Sequence, residues 1–141
     1  MSELPLTGGC LCGGVRYEID APLVSAGYCH CTRCQRRSGT AASANASFEP
    51  GSLRILQGAE LLREYVPPDG AGKIFCSVCG SAMFTRRRED EDYYAVRLGT
   101  FDADPGIRPG YHQFVDYAAP WEPLPDDGLP RFPERRSAGY G

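Results

Sequence analysis

Alternation of apolar and polar residues over Val15-Arg16-Tyr17-Glu18-Ile19 predicts a half-buried β-strand, and the same period recurs down the chain. Leu53-Arg54-Ile55 and Arg63-Glu64-Tyr65-Val66 read as strands separated by a turn near Gly58. Lys73-Ile74-Phe75 leads into Cys76 and Ser81 to Thr85 leads away from it, so a turn between two strands is predicted at Cys76-Ser77-Val78-Cys79. Tyr93 to Leu98 alternates again, with Tyr94, Val96 and Leu98 on one face, and Tyr111 to Tyr117 is a further strand candidate. One helix is predicted, a short one from Thr32 to Ser38 with Thr32 as N-cap and Gly39 past its end. Glycine and proline supply 17 and 12 of the 141 residues, which suits short strands joined by turns rather than a helical protein. Pro67 to Gly72 is a loop by composition.

The expected domain covers residues 1–133. Prolines at 120, 123, 125, 130 and 133 prevent regular ladders in its last part, which Trp121, Leu129 and Phe132 are expected to dock onto the body. Residues 134–141 carry almost nothing apolar and read as a flexible tail. A chain of this length buries roughly 70% of its unfolded surface, enough for a core.

Charge narrows the range of partners. The net charge is −3 and the pI about 5.4, which argues against a protein that holds nucleic acid through its phosphates. No apolar run approaches the ~20 residues of a membrane helix. The first nine residues contain Glu3 and no signal-like apolar stretch, so the cytoplasm is the expected location. Arg86-Arg87-Arg88 followed by Glu89-Asp90-Glu91-Asp92 reads as a self-compensated loop. Lys73 is the only lysine.

All seven cysteines fall into three tight clusters: Cys10-Leu11-Cys12, Cys29-His30-Cys31-Thr32-Arg33-Cys34, and Cys76-Ser77-Val78-Cys79. An odd count and the absence of an export signal argue against a disulfide framework. Thiolates one or two residues apart converge on a metal. Seven is four plus three: four thiolates close a structural zinc site, and three leave a position open for water or substrate. Spacing leaves two partitions. Cys31/Cys34 with Cys76/Cys79 makes a ribbon-like pair of CxxC motifs, but the 41 intervening residues exceed the usual 15 to 20. Cys10/Cys12 with Cys76/Cys79 leaves Cys29, Cys31 and Cys34 as a three-thiolate site, and the compact CxCxxC favours this second solution.

The segments Gly9 to Tyr17, Cys29 to Gly39 and Phe75 to Ser81, with Tyr94 to Thr100, Pro109-Gly110-Tyr111-His112 and Trp121 behind them, resemble the glutathione-dependent formaldehyde-activating enzymes. That family also contains the centromere protein V domain. The resemblance spans roughly residues 8 to 133 and includes all seven cysteines. It implies a mainly β, zinc-stapled single domain of small coiled antiparallel sheets (a β-tent), with the short helix near the second cysteine cluster. It implies two Zn²⁺ ions: a structural one on Cys10, Cys12, Cys76 and Cys79, and a catalytic one on Cys29, Cys31 and Cys34. The three-cysteine site, with fewer ligands, is expected to be partly empty in a purified sample.

The activity implied is carbon–sulfur lyase chemistry on an adduct of glutathione, or a similar small thiol, with an aldehyde such as formaldehyde. Independently of the family, three thiolates on Zn²⁺ carry a net charge of −1 and suit an exchangeable fourth thiolate better than a polarised water. Arg33, Arg36 and Arg37 are available to pair with a glutathione carboxylate. His30 is expected to point away from the metal its neighbours bind, and His112 to be a packed strand residue, so no general acid is evident. The small side chains of Thr40 to Ser47 are expected to leave a cavity. The competing expectation is a non-catalytic zinc-binding module for protein partners.

Overall fold

The computed structural model describes residues 3–136. Ten strands and one α-helix follow in chain order: β1 (Leu6–Gly9), β2 (Arg16–Ile19), β3 (Ser25–Cys29), α1 (Thr32–Ser38), β4 (Ser43–Ser47), β5 (Leu53–Gln57), β6 (Leu62–Tyr65), β7 (Gly72–Cys76), β8 (Ala82–Arg86), β9 (Ala95–Arg97) and β10 (His112–Gln113). They form a three-stranded sheet, β1-β2-β5, and a seven-stranded sheet, β10-β3-β4-β9-β8-β7-β6. Every pairing is antiparallel except β10 with β3, which is parallel. The architecture is the mainly β one expected, with small sheets and one helix.

Side chains alternate across a strand, so register decides what each face of the large sheet carries. Ala26, Ala46, Val96, Phe84 and Ile74 lie opposite one another in a row across β3, β4, β9, β8 and β7. All five are buried, and this row meets Tyr17 and Ile19 of β2 to form the core between the sheets. The Tyr17 and Phe84 rings meet edge to face with centroids 5.3 Å apart. The row one residue away faces the other side: Ser25, Ser47, Ala95, Thr85 and Lys73. Beside it Gly27 and Asn45 lead to Arg97. One face of the sheet is therefore apolar core and the other is a small-residue, polar floor.

Several strands differ from the sequence expectation in extent. Tyr93 to Leu98 pairs only over Ala95–Arg97 and then tightens into a 3₁₀ turn at Leu98–Thr100. Tyr111 to Tyr117 contributes only the two-residue β10. Phe114 ends it in the left-handed region (φ 58°, ψ 38°) and a 3₁₀ turn follows at Val115–Tyr117. Helix α1 has the expected bounds, but Cys31 rather than Thr32 caps it: the Cys31 sulfur accepts from the Cys34 amide at 3.4 Å. Gly39 closes the helix in the left-handed conformation (φ 70°).

The proline-rich segment docks through Phe132, edge to face with Tyr111, and through half-buried Leu129. Trp121 does not dock; it is 66% exposed. At the start of the expected tail, the Glu134 carbonyl accepts from the Phe114 amide at 2.8 Å and the Arg136 amide donates to Gln113 at 3.0 Å. Residues 137–141 lie outside the described residues. In the arginine run only Arg88 pairs with the acidic residues behind it, at 3.8 Å from Asp90. Arg86 pairs with Glu64 at 2.6 Å, and Arg87 stacks on Tyr94. No helix among the described residues is long and apolar enough to cross a membrane.

Candidate functional site

The structure gathers the seven cysteines into two groups, one of four and one of three. Cys10 and Cys12 lie just past β1, and Cys76 and Cys79 flank the turn from β7 to β8. Cys76 and Gly80 shape that turn: the Gly80 amide donates to the Cys76 carbonyl at 2.8 Å and Gly80 takes a positive φ of 78°. The four sulfurs lie within 4.8 Å of one another, with Cys10 and Cys12 at 3.5 Å and Cys12 and Cys76 at 3.9 Å. A tetrahedron of thiolates about 2.3 Å from zinc has edges of about 3.8 Å, so the set fits that ion. Ser81 donates toward Cys79 at 3.2 Å, which holds that thiol down at about 5. The Val15 amide donates to Cys10 at 3.2 Å, and Cys10 is lowered despite the opposing effect of burial. Cys12 is instead pushed up to about 11, its neighbouring thiols outweighing the Gly14 amide. Protein dipoles alone do not ionise all four, and a cation would.

Cys29 at the end of β3, Cys31 at the helix cap and Cys34 in the first turn of α1 form the second group. Their sulfurs also lie within 4.8 Å of one another, and all three residues are buried. Contacts with Cys31 and Cys34 push the Cys29 thiol far up, while those with Cys29 and Cys31 pull Cys34 down. Three adjacent sulfurs cannot all ionise side by side without a positive charge among them. A soft divalent ion on three thiolates meets that need. The partition is the one that the CxCxxC spacing favoured.

Cys29, Cys31 and Cys34 open on a cavity of about 480 Å³, within the range of small-molecule sites. Its floor is the polar face of the large sheet, including Asn45 and Ser47 from the small-residue stretch. Phe114 packs against the cysteines and also lines the cavity. Holding a non-glycine residue at positive φ costs about 1–2 kcal/mol, and here it brings an aromatic ring onto the cysteine cluster. The basic side chains on the floor are Lys73 and Arg97, which the sequence did not single out. Of the three arginines that it did, Arg33 lines the cavity but pairs with Asp69 at 3.2 Å, and Arg36 is exposed. Arg37 is turned to the Ile74 carbonyl at 3.3 Å and does not line the cavity.

A hydrogen-bonded chain runs from buried His30 and His112 to Asp127 at the surface. His30 Nε2 and His112 Nδ1 are 2.8 Å apart, and His112 Nε2 lies 2.8 Å from the Asp127 carboxylate. The contact with His112 holds Asp127 below its usual range, so it accepts. His112 therefore donates from Nε2 to that carboxylate, a hydrogen bond joins its Nδ1 to His30 Nε2, and burial lowers the His30 pKa. Sequence placed both histidines behind the chemistry, but Asp127, in a proline-rich segment, carried no signal. His112→Phe keeps a ring against Tyr28 yet leaves the buried His30 Nε2 without its partner. A loss of about 1–3 kcal/mol is expected in chemical denaturation.

Comparison with known proteins finds a matching family and similar solved structures. The model of the glutathione-dependent formaldehyde-activating enzyme family matches residues 5–117. A structural-genomics crystal structure of a Rhodobacter sphaeroides protein is 28% identical, with a TM-score of 0.54 over 89% of this chain and 98% of that one. No curated protein matches the chain.

Proposed function

The chain belongs to the glutathione-dependent formaldehyde-activating enzyme family, and from that premise we propose that it is a zinc-dependent carbon–sulfur lyase. Its substrate is the adduct of a small thiol, glutathione or one like it, with an aldehyde such as formaldehyde. One observation carries the reading: three cysteine sulfurs within 4.8 Å of one another open on a small-molecule-sized cavity, while the other four cysteines form a group of their own. Cys29, Cys31 and Cys34 would hold a Zn²⁺, which would supply an open position and favour the thiolate form of a bound thiol near neutral pH. In the synthetic direction the sulfur lone pair forms the C–S bond, the carbonyl π pair moves to oxygen, and that oxygen takes a proton. In the lyase direction the same C–S bond breaks and the hydroxyl proton is lost.

The chain's own residues support both directions by position and field. Phe114 packs against the cysteines, and α1 holds Cys31 and Cys34 through its first-turn hydrogen bond. Lys73 and Arg97 bring positive charge into the same cavity. Cys10, Cys12, Cys76 and Cys79 take the structural ion in this reading. The free thiols suit a reducing compartment, the cytoplasm.

Exchange NMR on mixed glutathione and ¹³C-formaldehyde tests the proposal, with and without catalytic amounts of zinc-loaded protein. Faster interconversion of free and thiol-bound formaldehyde than in the uncatalysed mixture is expected. No acceleration with any common cellular thiol, together with tight binding of a protein partner, would establish the interaction-module reading instead.

A further inference from the structure

The cavity is basic in a protein that is acidic overall. Six basic side chains line it, against one carboxylate, Asp69, which is already engaged by Arg33. Most of the rim cations are occupied too: Arg87 lies over the Tyr94 ring, and Arg136 over the Tyr111 ring with a 3.1 Å bond to Ser25. Lys73 and Arg97 differ from these. They stand on the floor, on β7 and β9, brought to one face by the register of the large sheet. Neither has a carboxylate partner or a side-chain hydrogen bond among the described residues.

Among the described residues, the opposite charges they sense are those of the cysteines. Arg97 senses Cys34, Cys29 and Cys31, Lys73 senses Cys34 and Cys31, and half-buried Arg37 just outside the cavity senses Cys34. The three cations also repel one another. Burying such a group costs hydration that a counter-charge must offset. With a divalent ion, the three thiolates carry a net charge of −1, and the three cations leave the ensemble at +2. An incoming thiolate removes one of those charges. One is left over.

We propose that Lys73 and Arg97 form a carboxylate-binding subsite on the cavity floor, so that the molecule held at Cys29, Cys31 and Cys34 carries a carboxylate a few bonds from its sulfur. The proposal rests on the reading that a thiol occupies the three-cysteine centre. Cys29, Cys31, Cys34, Lys73 and Arg97 all line one cavity of about 480 Å³, so a single small molecule with a thiol and a carboxylate is offered partners for both groups. The lysine ammonium and the planar guanidinium together hold one carboxylate from two sides. The carboxylate belongs either to the thiol or to the aldehyde that adds to it.

Calorimetric titration of the zinc-loaded protein separates these cases without recourse to turnover. The ligands are 3-mercaptopropionate, 2-mercaptoethanol, propionate, and glyoxylate added with 2-mercaptoethanol. The expected result is that 3-mercaptopropionate binds at least tenfold more tightly than 2-mercaptoethanol, and that this ratio collapses toward one in Lys73→Gln/Arg97→Gln. Arg97→Lys, which keeps the charge, retains part of the ratio and guards against a folding defect in the double variant. A gain seen only with glyoxylate plus 2-mercaptoethanol assigns the carboxylate to the aldehyde and also supports the subsite. Both thiols binding equally, with no gain from glyoxylate, overturns the subsite and leaves the thiol reading standing. Propionate binding that is lost in the double variant, with no thiol binding, supports the subsite and overturns the thiol reading. No binding by any ligand overturns both.

Discussion

Replacing Cys76 by serine is expected to destabilise the protein by at least about 4 kcal/mol, the range reserved for loss of a metal site, a network or a core element. Cys76 is fully buried at the end of β7, with its sulfur 3.9 Å from that of Cys12, 64 positions earlier. The four-cysteine group therefore ties the end of β1 to the β7–β8 turn, joining the small sheet to the large one. A structural zinc contributes on the order of 10 kcal/mol to the folding of zinc-finger peptides. This chain also has an apolar core, so the expected result is a weakened fold rather than an unfolded one. Thermal melting should fall by roughly 10 °C or more, with one equivalent of zinc lost by elemental analysis. Val78→Ser in the same turn is the control, because that side chain is exposed and its loss should barely register. A Cys76→Ser protein that melts like the parent would refute a structural role for the four-cysteine group.

Much of the fold was legible where strands are half-buried. β2 and β7 show period-two alternation because one of their faces meets the core and the other meets solvent or the cavity. β3 and β4 gave no such signal, although they lie well inside the seven-stranded sheet. Their sequences, Ser-Ala-Gly-Tyr-Cys and Ser-Ala-Asn-Ala-Ser, are composed largely of small residues with weak strand preference. The packing explains the choice. A Cβ on Gly27 would collide with the Tyr111 ring, and larger side chains on β4 would fill the cavity. The residues that make the site roomy are those that hide the strands.

The two cysteine groups were legible for a different reason. Ligands one or two residues apart meet through local geometry, and their count limits the pairings. The cavity is not local. Lys73 and Arg97 lie 24 positions apart, on strands that meet the cysteines only through the register of β3, β4, β9, β8 and β7. The single lysine of the chain was visible in the sequence, but its place on the floor was not. Asp127 and Phe114 depend on how an irregular segment docks, which no periodicity encodes.

Replacing Cys31 by serine should remove the activity while leaving the fold nearly untouched, and the helix cap explains why the two effects separate. The Cys31 sulfur both belongs to the three-cysteine group and accepts from the Cys34 amide as N-cap of α1. Serine is among the preferred N-cap residues, so its hydroxyl takes over the second role. It cannot take over the first: a hydroxyl stays protonated at neutral pH and is a hard donor where a soft thiolate is needed. In the exchange NMR assay the variant should fall to the uncatalysed rate with glutathione and formaldehyde. Its melting temperature should stay within a few degrees of the parent's, a shift worth about 1 kcal/mol for a domain of this size. Zinc content should fall by one equivalent or less, in contrast to the joint loss of zinc and stability expected for Cys76→Ser. Undiminished acceleration by Cys31→Ser would move the chemistry away from the three cysteines. A melting loss as large as that of Cys76→Ser would make their group structural as well.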